Sequence, residues 1–189
     1  MKIGFIDYYL DEWHANNYPA RLRELSGGEL EVAYAYAEID SPLGGLTTDA
    51  WCEKYGIQRV DSIEELVALS DGIVVLSPDN CERHEALCAI PLASGKPCYV
   101  DKTFAPTKAA AERIFENAEA HGTPCYSTSA LRYADEYAEI DREGIHAIAA
   151  WGPNGYETYS IHMLEPVIML MNARPKRVLA QSVAEKWYT

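Results

Sequence analysis

The sequence lacks an excess of basic residues and has no long apolar run. Sixteen Lys and Arg stand against 29 Asp and Glu, which gives a formal net charge of -13. Such a charge repels phosphate backbones and anionic membrane surfaces at long range. No apolar run reaches the roughly 18 residues that a membrane span needs, and the N-terminus lacks the apolar segment of a signal peptide. We therefore expect a soluble cytoplasmic protein that binds neither nucleic acid nor membrane.

The sequence also lacks cysteines in the paired spacing that disulfide frameworks and zinc sites use. The five cysteines are odd in number, and no two of them form a C-x-x-C motif. This excludes the usual signatures of a disulfide framework and of a structural zinc site. We expect them to be small buried side chains in a reducing compartment, and we predict no metal site.

Glycine is missing where a nucleotide-binding fold normally needs it. The opening stretch MKIGFIDYYLDEWHA runs from an apolar strand pattern into a helix pattern, as the first βα turn of a dinucleotide-binding unit does. That turn is usually G-x-G-x-x-G, which lets the backbone approach a pyrophosphate. Here Asp7, Tyr8, Tyr9, Asp11 and Glu12 fill it. The added side chains and carboxylates predict weakened pyrophosphate binding, although the helix N-terminus is expected to offer free N–H groups and a favourable dipole.

Apolar strand patterns alternate with helix patterns along the first two thirds of the chain. The predicted strands are Lys2–Ile6, Leu30–Ala37, Ile73–Leu76, Pro97–Val100 and Cys125–Thr128. Between them, helical spacing and capping residues predict helices, including one after Ser62 with capping-box spacing to Glu65. This alternation predicts an α/β fold with a doubly wound parallel (Rossmann) sheet over residues 1–131. Ligands of such sheets bind outside the carboxyl ends of the strands.

Polar residues cluster at those carboxyl ends. They are Asp7, Glu38 with Asp40, the run Ser77-Pro78-Asp79-Asn80, and the run Asp101-Lys102-Thr103. An acidic residue after the second strand is typical of a ribose-binding position and favours NAD over NADP. The sequence therefore predicts a ligand site at this edge of the sheet.

Several longer motifs resemble one enzyme family. They are WCEKYG at 51–56, DGIVVL at 71–76, Ser77-Pro78 followed by His84, the run ASGKPCYVDKTFAPTKAAAERI from residue 93, and TSALRY at 128–133. Together they resemble the Gfo/Idh/MocA-type NAD(P)-dependent oxidoreductases, typified by glucose-fructose oxidoreductase and inositol dehydrogenase. The family reads Glu-Lys-Pro where this chain has Asp101-Lys102-Thr103, so the acid and the lysine are kept and the proline is lost.

The resemblance implies a cofactor, NAD or NADP, and a set of site residues. The residues it assigns to cofactor binding are Asp7, Tyr8, Glu38, Asp40, Ser77, Pro78, Asn80, His84, Asp101 and Lys102. The catalytic residues would be Lys102, which hydrogen-bonds the substrate hydroxyl, and His162, which takes its proton; Arg132 and Tyr159 would join His162 in binding substrate. Glu165 matches the family pattern after His162, whereas Thr158 stands where the family has an aspartate one helical turn before that histidine.

Residues 132–189 are predicted to form an incomplete α+β domain for substrate binding and dimerisation, with a strand at 145–151 and a helix at 160–171. The family's second domain is usually much longer, so the chain is expected to be a fragment or a short member, and a homo-oligomer is implied by the resemblance.

Two functions stay open from the sequence. The first is an oxidoreductase that transfers hydride to or from a sugar, polyol or related hydroxy compound. The second is a non-catalytic relative that has lost normal cofactor binding and binds a small metabolite or a partner chain. A third reading, a response-regulator-like phosphate-binding domain, predicts a single compact domain without a histidine-bearing helix after residue 150.

Overall fold

The chain, examined as a computed structural model, is described over residues 1–183 and 186–188. It divides into two compact units, Met1–Ser127 and Thr128–Thr189. The first unit contains the predicted sheet, and the second contains the helix with His162. A histidine-bearing helix after residue 150 disagrees with the response-regulator alternative.

Unit 1 is built around a six-stranded parallel sheet. The strands are β1 (Lys2–Asp7), β2 (Glu31–Ala37), β3 (Gln58–Arg59), β4 (Gly72–Val75), β5 (Cys98–Val100) and β6 (Cys125–Tyr126). Their order is β3-β2-β1-β4-β5-β6, and every described neighbouring pair is parallel. This is the strand order of a doubly wound Rossmann sheet, so the predicted fold class is confirmed.

Five helices cover the two faces of this sheet. They are α1 (Trp13–Leu25), α2 (Thr48–Tyr55), α3 (Ile63–Leu69), α4 (His84–Leu92) and α5 (Lys108–Ala120). Helices α1 and α2 pack with Phe5 and Trp51 in one apolar cluster. Helices α3, α4 and α5 pack with Ile6 and Val75 in the other. Phe5 and Ile6 are neighbours in β1, so their side chains point to opposite faces of the sheet. Both faces of β1 are therefore apolar.

Local capping signals act as the sequence predicts. The Ser62 hydroxyl accepts a hydrogen bond from the backbone N–H of Glu65 at 3.1 Å, and the Glu65 carboxylate accepts one from the N–H of Asp61 at 3.2 Å. Thr47 and Thr107 cap α2 and α5 in the same manner. Pro91 lies inside α4, and a 3-10 turn, Cys81–Arg83, precedes this helix.

Unit 2 is smaller. Two 3-10 turns, Ala130–Tyr133 and Asp135–Tyr137, precede α6 (Tyr156–Met171), and the strands β7 (Gln181–Val183) and β8 (Lys186–Tyr188) pair antiparallel. The strand predicted at 145–151 does not form, because an apolar run becomes a strand only where a neighbouring strand satisfies its backbone groups. Helix α6 begins at Tyr156, four residues before the predicted start, so Tyr156, Tyr159 and His162 all lie on it.

None of the helices in the described part of the chain is both long and apolar enough to cross a membrane. All five cysteines are free thiols.

Candidate active site

Asp7 lies buried at the carboxyl end of β1. One of its oxygens, Oδ1, accepts hydrogen bonds from the backbone N–H groups of Tyr8 at 2.7 Å and Ser77 at 3.0 Å. The other, Oδ2, is buried and has no hydrogen-bond partner among the described residues. Burial raises the pKa of the Asp7 carboxyl well above its usual range, and the nearby Glu12 charge raises it further. The backbone donors act in the opposite direction and do not outweigh burial.

This raised pKa makes a testable prediction for stability. The native carboxyl keeps its proton to a higher pH than the unfolded chain does, so its contribution to stability is present below about pH 4 and is lost as the pH rises through the folded pKa. We expect Asp7→Asn, which keeps the Oδ1 acceptor and cannot ionise, to be more stable than wild type at neutral pH by about 1 kcal/mol. The gap should close toward pH 4. Urea unfolding of both proteins across this range measures it, and parallel pH profiles would contradict the assignment.

The side chain of Glu12 closes the N-terminus of α1. Its carboxylate caps the helix, accepting from the backbone N–H of His14 at 2.7 Å and from that of Ala15. Tyr9 and Leu10 fill the turn before it and are buried. The expectation of free N–H groups at this helix end is therefore wrong, because the chain's own carboxylate binds them. The Glu12 carboxylate therefore competes with a pyrophosphate for these N–H groups.

Two other acids of this edge hold loops in place. Asp11 accepts from the backbone N–H of Leu46 at 2.7 Å and from Asn16 Nδ2 at 3.0 Å, and these bonds lower its pKa. Asp40 accepts from the backbone N–H of Thr48 at 2.7 Å at the start of α2, which lowers its pKa as well. Both carboxylates stabilise the local backbone around α1 and α2.

Glu38, the acid predicted for ribose binding, is paired with a residue that the sequence did not single out. Its Oε2 accepts from Arg83 Nε at 2.8 Å and Nη2 at 2.5 Å. The same guanidinium lies 5.2 Å from the centre of the half-buried Tyr8 ring. The only sequence signal for Arg83 was its position one residue before His84 in the family motif.

The segment after β4 is tightly organised. Ser77 is buried with a positive φ of 63°, and its hydroxyl donates to the Asn80 carbonyl at 3.2 Å. Pro78 is buried, and Asn80 Nδ2 donates to Glu82 Oε1 at 3.0 Å. His84 is fully buried, with Nε2 2.6 Å from the Leu76 carbonyl and Nδ1 2.9 Å from the Phe104 carbonyl. His84 thus ties the start of α4 to the segments that follow β4 and β5.

Asp101 and Lys102 follow β5 and are both buried. Asp101 Oδ1 accepts from the Tyr99 hydroxyl at 2.9 Å, and Lys102 Nζ lies 3.8 Å from Asp101 Oδ2. Burial and the Asp101 charge raise the pKa of Tyr99 well above its usual range. The Lys102–Thr103 peptide bond is cis. The lysine that the family resemblance singled out is therefore held next to a buried carboxylate at the carboxyl edge of the sheet.

His14 belongs to the same cluster, although the sequence analysis did not single it out. Its Nδ1 lies 2.9 Å from Glu12 Oε2, and its Nε2 lies 3.8 Å from Asp101 Oδ2. The neighbouring Tyr18 has its pKa raised by burial and by the Asp101 charge. The sequence does place His14 two residues after Glu12 at the start of α1, and this spacing lets the Glu12 carboxylate reach the His14 ring.

In unit 2, His162 is oriented by a serine. Ser129 Oγ lies 2.6 Å from His162 Nδ1, and Ser129 is fully buried. Glu165 Oε2 accepts from the backbone N–H of Ser129 at 2.8 Å and from the Thr128 hydroxyl at 2.9 Å. The Tyr159 ring centre is 4.8 Å from that of His162, and Arg132 is exposed. Ser129 thus contacts the His162 ring in this chain, which has Thr158 at the position of the family's aspartate.

No group of three or more His, Cys, Asp or Glu side chains within residues 1–183 and 186–188 is arranged to hold a metal ion.

Known proteins resemble parts of this chain. No family model matches it. An inositol 2-dehydrogenase of Cereibacter sphaeroides is 36% identical over 80 residues, which cover 42% of this chain and 23% of the relative. The match therefore spans less than a quarter of that relative's length.

Solved structures extend the likeness over most of the chain. A dehydrogenase (MviM) of Clostridium difficile superposes with a TM-score of 0.56 and 26% identity, covering 74% of this chain and 42% of the other. A Gfo/Idh/MocA family oxidoreductase of Vibrio cholerae has a TM-score of 0.55 and 19% identity over 73% of this chain and 41% of its own, which supports the fold alone. The two matches above 25% identity are both dehydrogenases, which agrees with the resemblance to these oxidoreductases, and the Vibrio cholerae structure shares the fold.

Proposed function

We propose that the chain is an NAD(P)-linked oxidoreductase of the cytoplasm that transfers hydride to or from a sugar, polyol or related hydroxy compound. The observation that carries this proposal is the burial of Lys102 beside Asp101 at the carboxyl end of β5. The similarity to an inositol 2-dehydrogenase supports a small polyhydroxy substrate. The family resemblance supports assembly as a homo-oligomer.

The residue roles follow from chemistry in each unit. Lys102 donates a hydrogen bond to the reacting hydroxyl oxygen and stabilises negative charge as the O–H bond breaks. His162 is the group that takes the proton, and the Ser129 hydroxyl at Nδ1 fixes its ring. Tyr159 and Arg132 complete the proposed substrate contacts. NAD(P) would supply the hydride acceptor.

The residues present accommodate this cofactor only in part. Ser77, Pro78 and Asn80 form an ordered turn beyond β4, and Glu38 remains the acid that favours NAD. However, Glu12 occupies the N–H groups of α1, and Arg83 occupies Glu38. This observation favours the second candidate, a relative that has lost normal cofactor binding and binds a metabolite or a partner chain.

A cofactor titration decides between the two candidates. Energy transfer from the tryptophans to bound NADH, competed away by NAD, is expected for the oxidoreductase. We expect Glu12→Gln to tighten NADH binding by about tenfold, or 1.4 kcal/mol, because one carboxylate no longer opposes the pyrophosphate at the end of α1. Glu64→Gln is the matched control, since it removes the same charge from the exposed first turn of α3.

Each outcome has a defined meaning. Saturable NADH binding that tightens only in Glu12→Gln supports the first candidate and the role of the cap. No saturable signal in either folded protein, up to the highest cofactor concentration that the optics allow, supports the second. Equal affinity of wild type and Glu12→Gln would show that the cap does not limit binding.

A further inference from the structure

We propose that His14 is a third member of the hydroxyl-binding site formed with Asp101 and Lys102, and that the three side chains together bind a vicinal diol. The inference deepens the proposed function and rests on it for the role of Lys102. It assigns a ligand contact to the first turn of α1, directly after the turn in which acidic and aromatic residues stand in place of glycine.

Glu12 fixes the orientation of the His14 ring. Glu12 Oε2 accepts from both the backbone N–H and the ring Nδ1 of His14, at 2.7 and 2.9 Å. The rings of Trp13 and Tyr18 stand edge-on to the imidazole, with centres 5.2 and 5.3 Å away. A ring that donates from Nδ1 to a carboxylate has Nε2 as its acceptor in the neutral form. We assign that tautomer to His14.

His14 Nε2 faces the carboxylate of Asp101. Asp101 is 1% exposed, and its Oδ2 has no hydrogen-bond partner among the described residues. His14 Nε2 and Lys102 Nζ each lie 3.8 Å from this oxygen, which is too long for a hydrogen bond. A buried carboxylate oxygen normally accepts a hydrogen bond. Because Asp101 Oδ2 accepts none among the described residues and lies beside two further polar atoms, it marks a place where a ligand atom can bind.

The polar atoms of this cluster match the hydrogen-bonding groups of a diol. Two atoms 3.8 Å apart can both lie within about 2.8 Å of one bridging oxygen. The cluster offers two acceptors, His14 Nε2 and Asp101 Oδ2, and one cationic donor, Lys102 Nζ. Neighbouring hydroxyls of a diol can donate one hydrogen bond to each acceptor while one of their oxygens accepts from the lysine. The side chains of His14 and Lys102 are 15% and 10% exposed, so neither is fully shielded from solvent.

A vicinal diol has two sources in the proposed reaction, the polyol substrate and the ribose of the dinucleotide. The experiment therefore titrates the full chain with myo-inositol alone and, separately, with NADH alone. Trp13 fluorescence reports on the site because its ring contacts His14; Trp13→Phe verifies the origin of the signal. Cyclohexanol, with one hydroxyl, is the ligand control for inositol.

His14→Phe is the decisive variant, because phenylalanine keeps a ring against Trp13 and Tyr18 and removes both nitrogens. His121→Phe is its control, since His121 is an exposed histidine whose Nδ1 lies 2.9 Å from the Asn117 carbonyl. We expect His14→Phe to weaken binding of the diol by about tenfold, because one hydrogen bond to a buried charged site is lost. His121→Phe should leave diol binding unchanged. If inositol binding is weakened, the diol is the substrate's; if only NADH binding is weakened, it is the ribose.

The proposal is overturned if neither ligand shows saturable binding that depends on His14, or if cyclohexanol binds as well as inositol. Inositol binding can be measured without turnover, so this failure is distinct from a failure of the oxidoreductase assignment. The oxidoreductase assignment would fail if the chain neither bound NADH nor catalysed turnover. Should His14→Phe not fold, nitrogen-15 NMR of the wild-type histidines replaces it. A His14 ring protonated at Nε2 and bare at Nδ1 contradicts the proposal, and the reverse tautomer with an inositol-dependent shift supports it.

Discussion

Lys102→Met is expected to lower kcat/KM for polyol oxidation by about 100-fold or more. The ammonium lies at the carboxyl end of β5, buried and 3.8 Å from the Asp101 carboxylate, where it can donate to a substrate oxygen. That hydrogen bond strengthens as the oxygen gains negative charge, so its loss falls mainly on the transition state. A loss of this size matches what a single acid–base or electrostatic group contributes.

Stability must be measured alongside activity in this variant. Lys102 is buried, so its removal takes away the ammonium that lies 3.8 Å from the buried Asp101 carboxylate. We expect a cost of about 1–3 kcal/mol in the free energy of unfolding, within a fold that stays cooperative. Lys108→Met, at an exposed lysine of α5, is the matched control for charge and length.

Steady-state kinetics with circular dichroism of both variants tests the assignment. Turnover of folded Lys102→Met equal to that of Lys108→Met would remove Lys102 from the catalytic residues. The family resemblance would then describe the fold and leave the chemistry to other residues.

Gly4→Ala is expected to destabilise unit 1 by about 2–3 kcal/mol. Gly4 lies in β1 where α3 packs closely on the sheet, and an added Cβ would meet Ser70 Oγ at 2.5 Å and Leu66 Cγ at 2.8 Å, with Leu66 Cδ2 closer still. Leu66 is fully buried, so it cannot turn aside without disturbing the apolar cluster of α3, α4 and α5. Overpacking of a filled core has costs of this size.

Gly72→Ala in the neighbouring strand β4 is the control. Its Cβ would meet Ile3 Cδ1 at 3.4 Å and the Pro97 carbonyl at 3.6 Å, which are ordinary contacts. Chemical denaturation of the two variants should therefore separate them clearly. Equal stabilities would mean that α3 can move away from β1 and that the close approach at Gly4 is not required.

The alternation of strands and helices in unit 1 could be predicted from the sequence because it depends on local patterns. Apolar runs such as Ile73–Leu76 and capping residues such as Ser62 act over a few neighbours, and both produced the expected elements. The short strand β3 was missed, since two residues carry no periodicity. The strand predicted at 145–151 was wrong because strand formation depends on a partner, which a local pattern cannot supply.

The position of Asp101 and Lys102 at the ligand-binding edge also followed from sequence, because residues after parallel strands meet at one edge of the sheet. Only the tertiary structure decided which groups contact one another there. Glu38 pairs with Arg83 across 45 residues, and His162 with Ser129 across 33. His14 approaches Asp101 from a different element, the start of α1. Such pairings depend on which distant segments the fold brings together. The absence of glycine could therefore be seen in the sequence, but the occupation of the α1 N-terminus by Glu12 could be seen only in the fold.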